Sequence, residues 1–296
     1  MKKEKVKAMK IKSNSRFFDV LIYGVLILCA AFTTLPMLYV LSASFASGAE
    51  IAAKGLVLFP SEPTLDAYRY IFSTPTLTNS LKISILVTVV GTIINIVLSS
   101  MTAYALSDIT LPGRKLFMVL ITFTMLFNAG MVPGFLLVKQ LHLYNSLWAL
   151  ILPSAINTWN LIVMKNFFQQ LPKEMLESAA IDGCSEMRTL FKIVVPLSAP
   201  VIATFTLFYA VGNWNTFTAA ILYLNDMSKM PVQVTLRQVV MMSQMIGNNE
   251  VAGAVAVPTE AVKMASIIIS TVPILIVYPF LQKHFAKGVM VGSIKG

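Results

Sequence analysis

Charge is what this sequence has least of. Only 12% of its 296 residues are Asp, Glu, Lys or Arg, against about 25% in typical globular chains. With 56% apolar residues and a mean hydropathy of +0.75, there is too little polar surface to cover a core of that size. A soluble enzyme and a disordered chain are both excluded. Cysteine is nearly absent as well: Cys29 and Cys184 stand alone and far apart, which excludes a disulfide scaffold. The two histidines, His142 and His284, have no metal-ligand spacing, and neither a His-Glu-x-x-His nor a Gly-x-Ser-x-Gly sequence occurs. The phosphate-binding sequence Gly-x-x-x-x-Gly-Lys-Ser/Thr is also missing, so the chain is not an ATPase by itself. A polytopic membrane protein is the class that remains.

Charge-free or nearly charge-free runs at 20–49, 83–107, 116–138, 143–164, 193–225 and 264–282 are each 19 residues or longer. Crossing a hydrocarbon core takes about 20 helical residues, and lipid cannot satisfy the backbone of open strands. The expectation is an all-α protein with six transmembrane helices, near 18–45, 80–107, 115–138, 145–168, 194–224 and 262–284. They form one transmembrane region, 18–285, between a basic N-terminus (1–17) and a tail (286–296). The first run is too long for the apolar part of a cleaved signal, so it reads as an uncleaved anchor.

The net charge of +10 could suggest nucleic acid, but its distribution points elsewhere. Seven basic residues, Lys2 to Arg16, precede the first apolar run, as in a cytoplasmic anchor facing anionic lipid. With both termini cytoplasmic, sixteen of the 23 Lys and Arg lie inside and seven outside. That positive-inside bias sets the orientation and makes 46–82 and 226–263 the large external segments.

The cytoplasmic segment between spans four and five, 170–192, holds the most informative pattern. Pro172 and Glu174 suit the first turn of a helix, which is expected over 173–182 and to stop at Gly183. Ser185 then caps a second helix in which Met187, Leu190 and Phe191 share an apolar face. Glu177-Ser178-Ala179, Asp182-Gly183, and Ile193 followed by Pro196 resemble the EAA loop of ABC importer permeases, departing at Ser178 and Val195. The resemblance extends over roughly 60–296, through Pro63-Thr64-Leu65-Asp66-Ala67-Tyr68-Arg69, Asn79-Ser80-Leu81, Ala103-Tyr104-Ala105-Leu106, Gly113-Arg114, Trp214-Asn215-x-Phe217 and the glycines and lysines of the tail.

Within that family the chain is most similar to the maltose G-type permease subunit, in the subgroup for complex oligosaccharides. The resemblance implies a type I importer permease fold in the cytoplasmic membrane. It also implies a second, homologous permease subunit, two ATPase subunits that carry ATP and Mg, and an external solute-binding protein. On this basis Glu177, Ala179, Asp182, Gly183, Met187, Leu190, Phe191 and Pro196 are the expected ATPase-coupling residues. No cofactor is expected on this chain.

Ionisable residues are almost absent from the spans, which argues against ion-coupled transport through an intramembrane carboxylate. Amides and aromatic rings are present instead: Asn157, Trp159 and Asn160 in span four, and Tyr209, Asn213, Trp214 and Asn215 in span five, with Asn128 and Tyr104 as secondary candidates. Such groups suit sugar hydroxyls and apolar ring faces, hence a neutral or weakly charged glycan. The same amides also serve as hydrogen-bonding glue between membrane helices, and the sequence leaves both roles open. Peptides or other small solutes are the alternative cargo. A stand-alone secondary transporter would need intramembrane charges or inverted repeats, and neither occurs.

Overall fold

The structure, a computed structural model, describes residues 16–247 and 260–292, and no strand occurs among them. The basic segment 1–17 therefore lies almost wholly outside the described residues, as do positions 293–296 of the tail.

Helix α1 (Arg16–Ala43) is apolar on every side, and the rest of the chain leaves positions 18–38 uncovered. Only its last turns join a core, where Ala43 packs with Ile71, Leu77 and Ala265. Between α1 and the next long helix lie α2 (Gly48–Lys54), capped by the Ser47 hydroxyl, and α3 (Asp66–Ser73). The Glu50 carboxylate accepts from Lys54 Nζ at 2.8 Å and from the Ser61 amide at 2.9 Å. Those bonds hold its pKa at about 2, well below the ordinary carboxylate range.

Helix α4 (Pro75–Ser107) is the axis of the fold. At about 1.5 Å per residue it is about 50 Å long. Its buried face is a stripe of small and polar residues at helical spacing: Ser80, Ser84, Val87, Gly91, Asn95, Ser99 and Ala103. In a membrane, where apolar burial against lipid gives little drive, small residues let helices approach closely and polar ones bond across the contact.

The remaining helices are more broken than six plain spans. Helices α5 (Arg114–Leu126) and α6 (Met131–Gln140) divide the expected third span. The Asn128 side chain accepts the Gly130 amide at 2.8 Å, and Gly130, the N-cap of α6, takes φ +87, which makes the turn between the two helices. The fourth is divided into α7 (Trp148–Ile151), a short tight turn ending at Ser154, and α8 (Thr158–Phe168), where Pro153 and the capping Asn157 restart the chain. After α9 (Lys173–Ile181) and α10 (Glu186–Thr189), a widened π-type turn (Leu190–Val194) leads through α11 (Val195–Leu197). At Ser198 the chain turns through 90° into α12 (Ala199–Trp214). Helices α13 (Thr218–Tyr223), α14 (Val232–Gly247) and α15 (Glu260–Gly292) complete the order.

Three helical stretches, 18–43, 75–107 and 260–277, are long and apolar enough to cross a membrane among the described residues, and the bent pair at Ser198 adds a fourth. The three stretches expected as single third, fourth and fifth spans are thus interrupted helices, and the stretch expected as a tail is helical as far as Gly292.

Candidate functional site

Two groups of residues carry the functional pattern: the loop between α8 and α12, and the polar cluster where α4, α8 and α12 meet. In the loop, α9 ends at Ile181, one residue before the expected end, with Asp182 as its C-cap. The Gly183 amide donates to Ala180 O at 3.1 Å and the Cys184 amide to Ala179 O at 2.9 Å. This crossed pair of bonds is the Schellman ending. It requires a residue in the left-handed region, and Gly183 stands there at φ +70. The glycine at 183 therefore has a backbone cause, since it supplies the left-handed turn that ends α9.

Ser185 adopts the extended backbone of an N-cap, but its hydroxyl bonds to no first-turn amide. The loop has two faces. Glu177, Asp182, Gly183, Met187, Phe191 and Pro196 are exposed, with Met187 at 48% and Phe191 at 42%. Ala179 and Leu190 are buried, Leu190 at 1%. Leu190, which the i, i+3, i+4 spacing groups with Met187 and Phe191, instead packs with Ala103 and Leu106 of α4, Leu161 and Met164 of α8, and Phe205 of α12. The π-type turn that begins at Leu190 rotates the register, so the apolar spacing no longer describes one surface. Met187 and Phe191 are left outward, and Leu190 anchors the loop.

Where α4, α8 and α12 meet, the amides bond to one another and to broken backbone. Asn213 Nδ2 donates to Asn95 Oδ1 at 2.9 Å and Thr92 Oγ1 at 3.3 Å. Asn95 Nδ2 donates to Ala155 O at 2.8 Å and Ser154 O at 3.1 Å, carbonyls that the interruption between α7 and α8 leaves without helical partners. Asn213 sits so close to Gly91 that a β-carbon there would come within 2.8 Å of its amide nitrogen. The Tyr209 and Ser99 hydroxyls are 2.8 Å apart, and the Asn157 amide donates to Tyr209 Oη at 3.0 Å. Trp214 Nε1 donates to Ser270 O at 2.8 Å, fastening α12 to α15.

Asn213, Trp214 and Tyr209 are thus buried in contacts between helices, and Asn160 is buried at the start of α8, where its amide donates to the Asn157 side chain. Asn157, Trp159 (58%) and Asn215 remain exposed. Asn128 is spent on its own turn, and the Tyr104 hydroxyl donates to Glu186. Sequence reasoning missed Gly91, Thr92, Asn95 and Ser99. Their signal was the small-and-polar stripe along α4. No group of acidic, histidine or cysteine side chains fit to hold a metal occurs among the described residues.

The chain, a set of broken apolar helices carrying this loop, matches a known family along nearly its whole length. The binding-protein-dependent transport system inner membrane component family matches residues 8–291. The chain belongs to that family. It is 53% identical over 285 residues to YtcP of Bacillus subtilis, named a polygalacturonan/rhamnogalacturonan transport system permease protein, covering 96% of this chain and 100% of that one. It is 54% identical over 267 residues to protein LplC of the same organism, covering 90% of each. Among solved structures, a chain of a bacterial ABC transporter involved in the import of the acidic polysaccharide alginate superposes with a TM-score of 0.84 at 33% identity, over 92% of this chain and 98% of that one. As an inner membrane component of this family, the protein is a multi-pass protein of the plasma membrane.

Proposed function

We propose that this chain is a permease subunit of a binding-protein-dependent ABC importer for oligosaccharides. In this reading it crosses the membrane six times with both ends cytoplasmic, each interrupted pair of helices making one crossing. The 170–192 loop docks on a separate ATPase subunit. ATP hydrolysis by two such subunits drives alternating access between this chain and a second, homologous permease, and an external solute-binding protein delivers the solute.

The loop is the observation that carries this reading. Its glycine turn presents Glu177, Asp182, Met187 and Phe191 outward while Leu190 anchors it to α4, α8 and α12. Exposed apolar and acidic side chains on a projecting helical hairpin suit a groove on a partner, and the buried anchor carries motion of that partner into the three helices.

For cargo, the polygalacturonan/rhamnogalacturonan named for YtcP and the alginate of the structural relative favour oligosaccharides that contain uronic acids. The exposed candidates Asn157, Trp159 and Asn215 are uncharged and suit hydroxyls and ring faces rather than carboxylates. Recognition of the acid group then falls to the binding protein or the second permease.

The test is ATP hydrolysis by the complex in proteoliposomes, with its binding protein, against oligogalacturonides, neutral maltodextrins and peptides. The expected result is stimulation by oligogalacturonides. Stimulation by neutral glycans alone would overturn the acidic cargo, and stimulation by peptides alone would overturn carbohydrate. Uptake without ATP or an ATPase subunit would overturn the importer.

A further inference from the structure

Between positions 172 and 189, one side-chain hydrogen bond ties the loop to another element among the described residues: the Tyr104 hydroxyl donates to Glu186 Oε2 at 2.7 Å. Tyr104 lies one turn before the inner end of α4, and Glu186 is the first residue of α10. The loop also packs into the core through the apolar side chains of Leu190 and Val194, with Leu176 half-buried against the same cluster. Apolar packing is non-directional, so it resists separation far better than it resists sliding. A hydrogen bond to a carboxylate is directional and strong for its kind.

The end of α4 that Tyr104 holds is itself a junction. The Leu106 carbonyl accepts from Arg114 Nε at 2.9 Å, and the Ser107 carbonyl accepts from Gln169 Nε2 at 3.1 Å. The start of α5 and the end of α8 are therefore fastened to the same turn. Higher on α4, Ser99 and Asn95 bond to Tyr209, Asn213 and the interruption before α8.

We propose that the Tyr104–Glu186 bond is a latch that compels the inner end of α4, and with it α5 and α8, to follow the docking loop. Tyr104 is thereby a positioning residue for energy coupling and not a solute contact. This rests on the reading of the loop as the ATPase docking element. Without the bond the loop still docks, but part of its movement is lost as slip against α4.

The experiment compares solute imported per ATP hydrolysed by the whole complex, with its binding protein, in proteoliposomes. Tyr104→Phe is expected to leave assembly and basal ATP hydrolysis unchanged and to lower that ratio about fivefold, the effect of one lost hydrogen bond. Glu186→Gln keeps an acceptor oxygen and is expected to stay near the parent ratio, whereas Glu186→Ala is expected to fall with Tyr104→Phe. The double variant Tyr104→Phe/Glu186→Ala falls no further than either alone. A parent ratio in Tyr104→Phe, additive losses in the double variant, or a raised solute KM in Tyr104→Phe that Glu186→Ala does not reproduce would each overturn the latch. Should Tyr104→Phe fail to assemble, the two Glu186 variants carry the same comparison from an exposed site. Gly183→Asp separates the two levels. If that variant still holds its ATPase subunits, the docking reading itself fails; if it loses them while Tyr104→Phe couples normally, only the latch fails.

Discussion

In the 172–191 loop, Glu177, Asp182, Met187 and Phe191 stay exposed, whereas in the cluster between α4, α8 and α12 Asn95, Asn213 and Tyr209 are at least nine-tenths buried and bonded within the chain. The two regions spend polar groups in opposite ways. The loop satisfies its own backbone with a glycine turn and keeps its side chains for something outside the chain. The cluster uses its side chains to satisfy backbone that interrupted helices leave open, within the packed contacts between helices. Availability therefore separates residues suited to a partner from residues that hold the fold, even where residue type does not.

Breaking the loop should have the largest effect. Gly183→Asp puts a β-carbon at φ +70 and a second carboxylate beside Asp182. Uptake is expected to be lost and ATPase subunits to dissociate during purification, which affinity capture of the complex would detect; folding of the subunit should survive, because the site is exposed. On the other side of the comparison, Gly91→Val drives side-chain atoms into Asn213. Overpacking of this kind costs about 1–3 kcal/mol, and the expected outcome is a lower unfolding temperature in detergent with the loop still able to hold its ATPase. Tyr209→Phe removes the hydroxyl that meets Ser99 and the Asn157 amide. It should cost about 1 kcal/mol by the same measurement. Trp159→Ala sharpens the comparison from its weakest point. The ring is 58% exposed, so unfolding should not shift, while the solute KM for uptake should rise if the ring faces the cargo.

Much of the loop was legible because its geometry is local. A Schellman ending needs a glycine at one position and carbonyls three and four residues before it, and 177–183 supplies them in sequence. The single apolar face expected of Met187, Leu190 and Phe191 does not form, since Met187 and Phe191 stay exposed while Leu190 is buried. The burial of Leu190 was not legible, because the π-type turn that begins there changes the register and contacts from α4, α8 and α12 decide where it points. The long helices α1, α4 and α15 followed from runs without charge, but the interruptions near 127–130 and 152–157 did not. Hydropathy passes over a turn whose flanks are equally apolar.

The sequence by itself determined the solvent, through scarcity of charge; the helical class, because lipid leaves a backbone few other ways to satisfy itself; and the glycine turn of the loop. Only the tertiary structure decided which amides remain free. Asn95 lies 60 residues from the Ala155 carbonyl it captures, and Asn213 lies 118 residues from Asn95. Whether a polar side chain is spent inside the fold or left for a partner depends on which broken backbone it is brought against, and that is set by long-range packing.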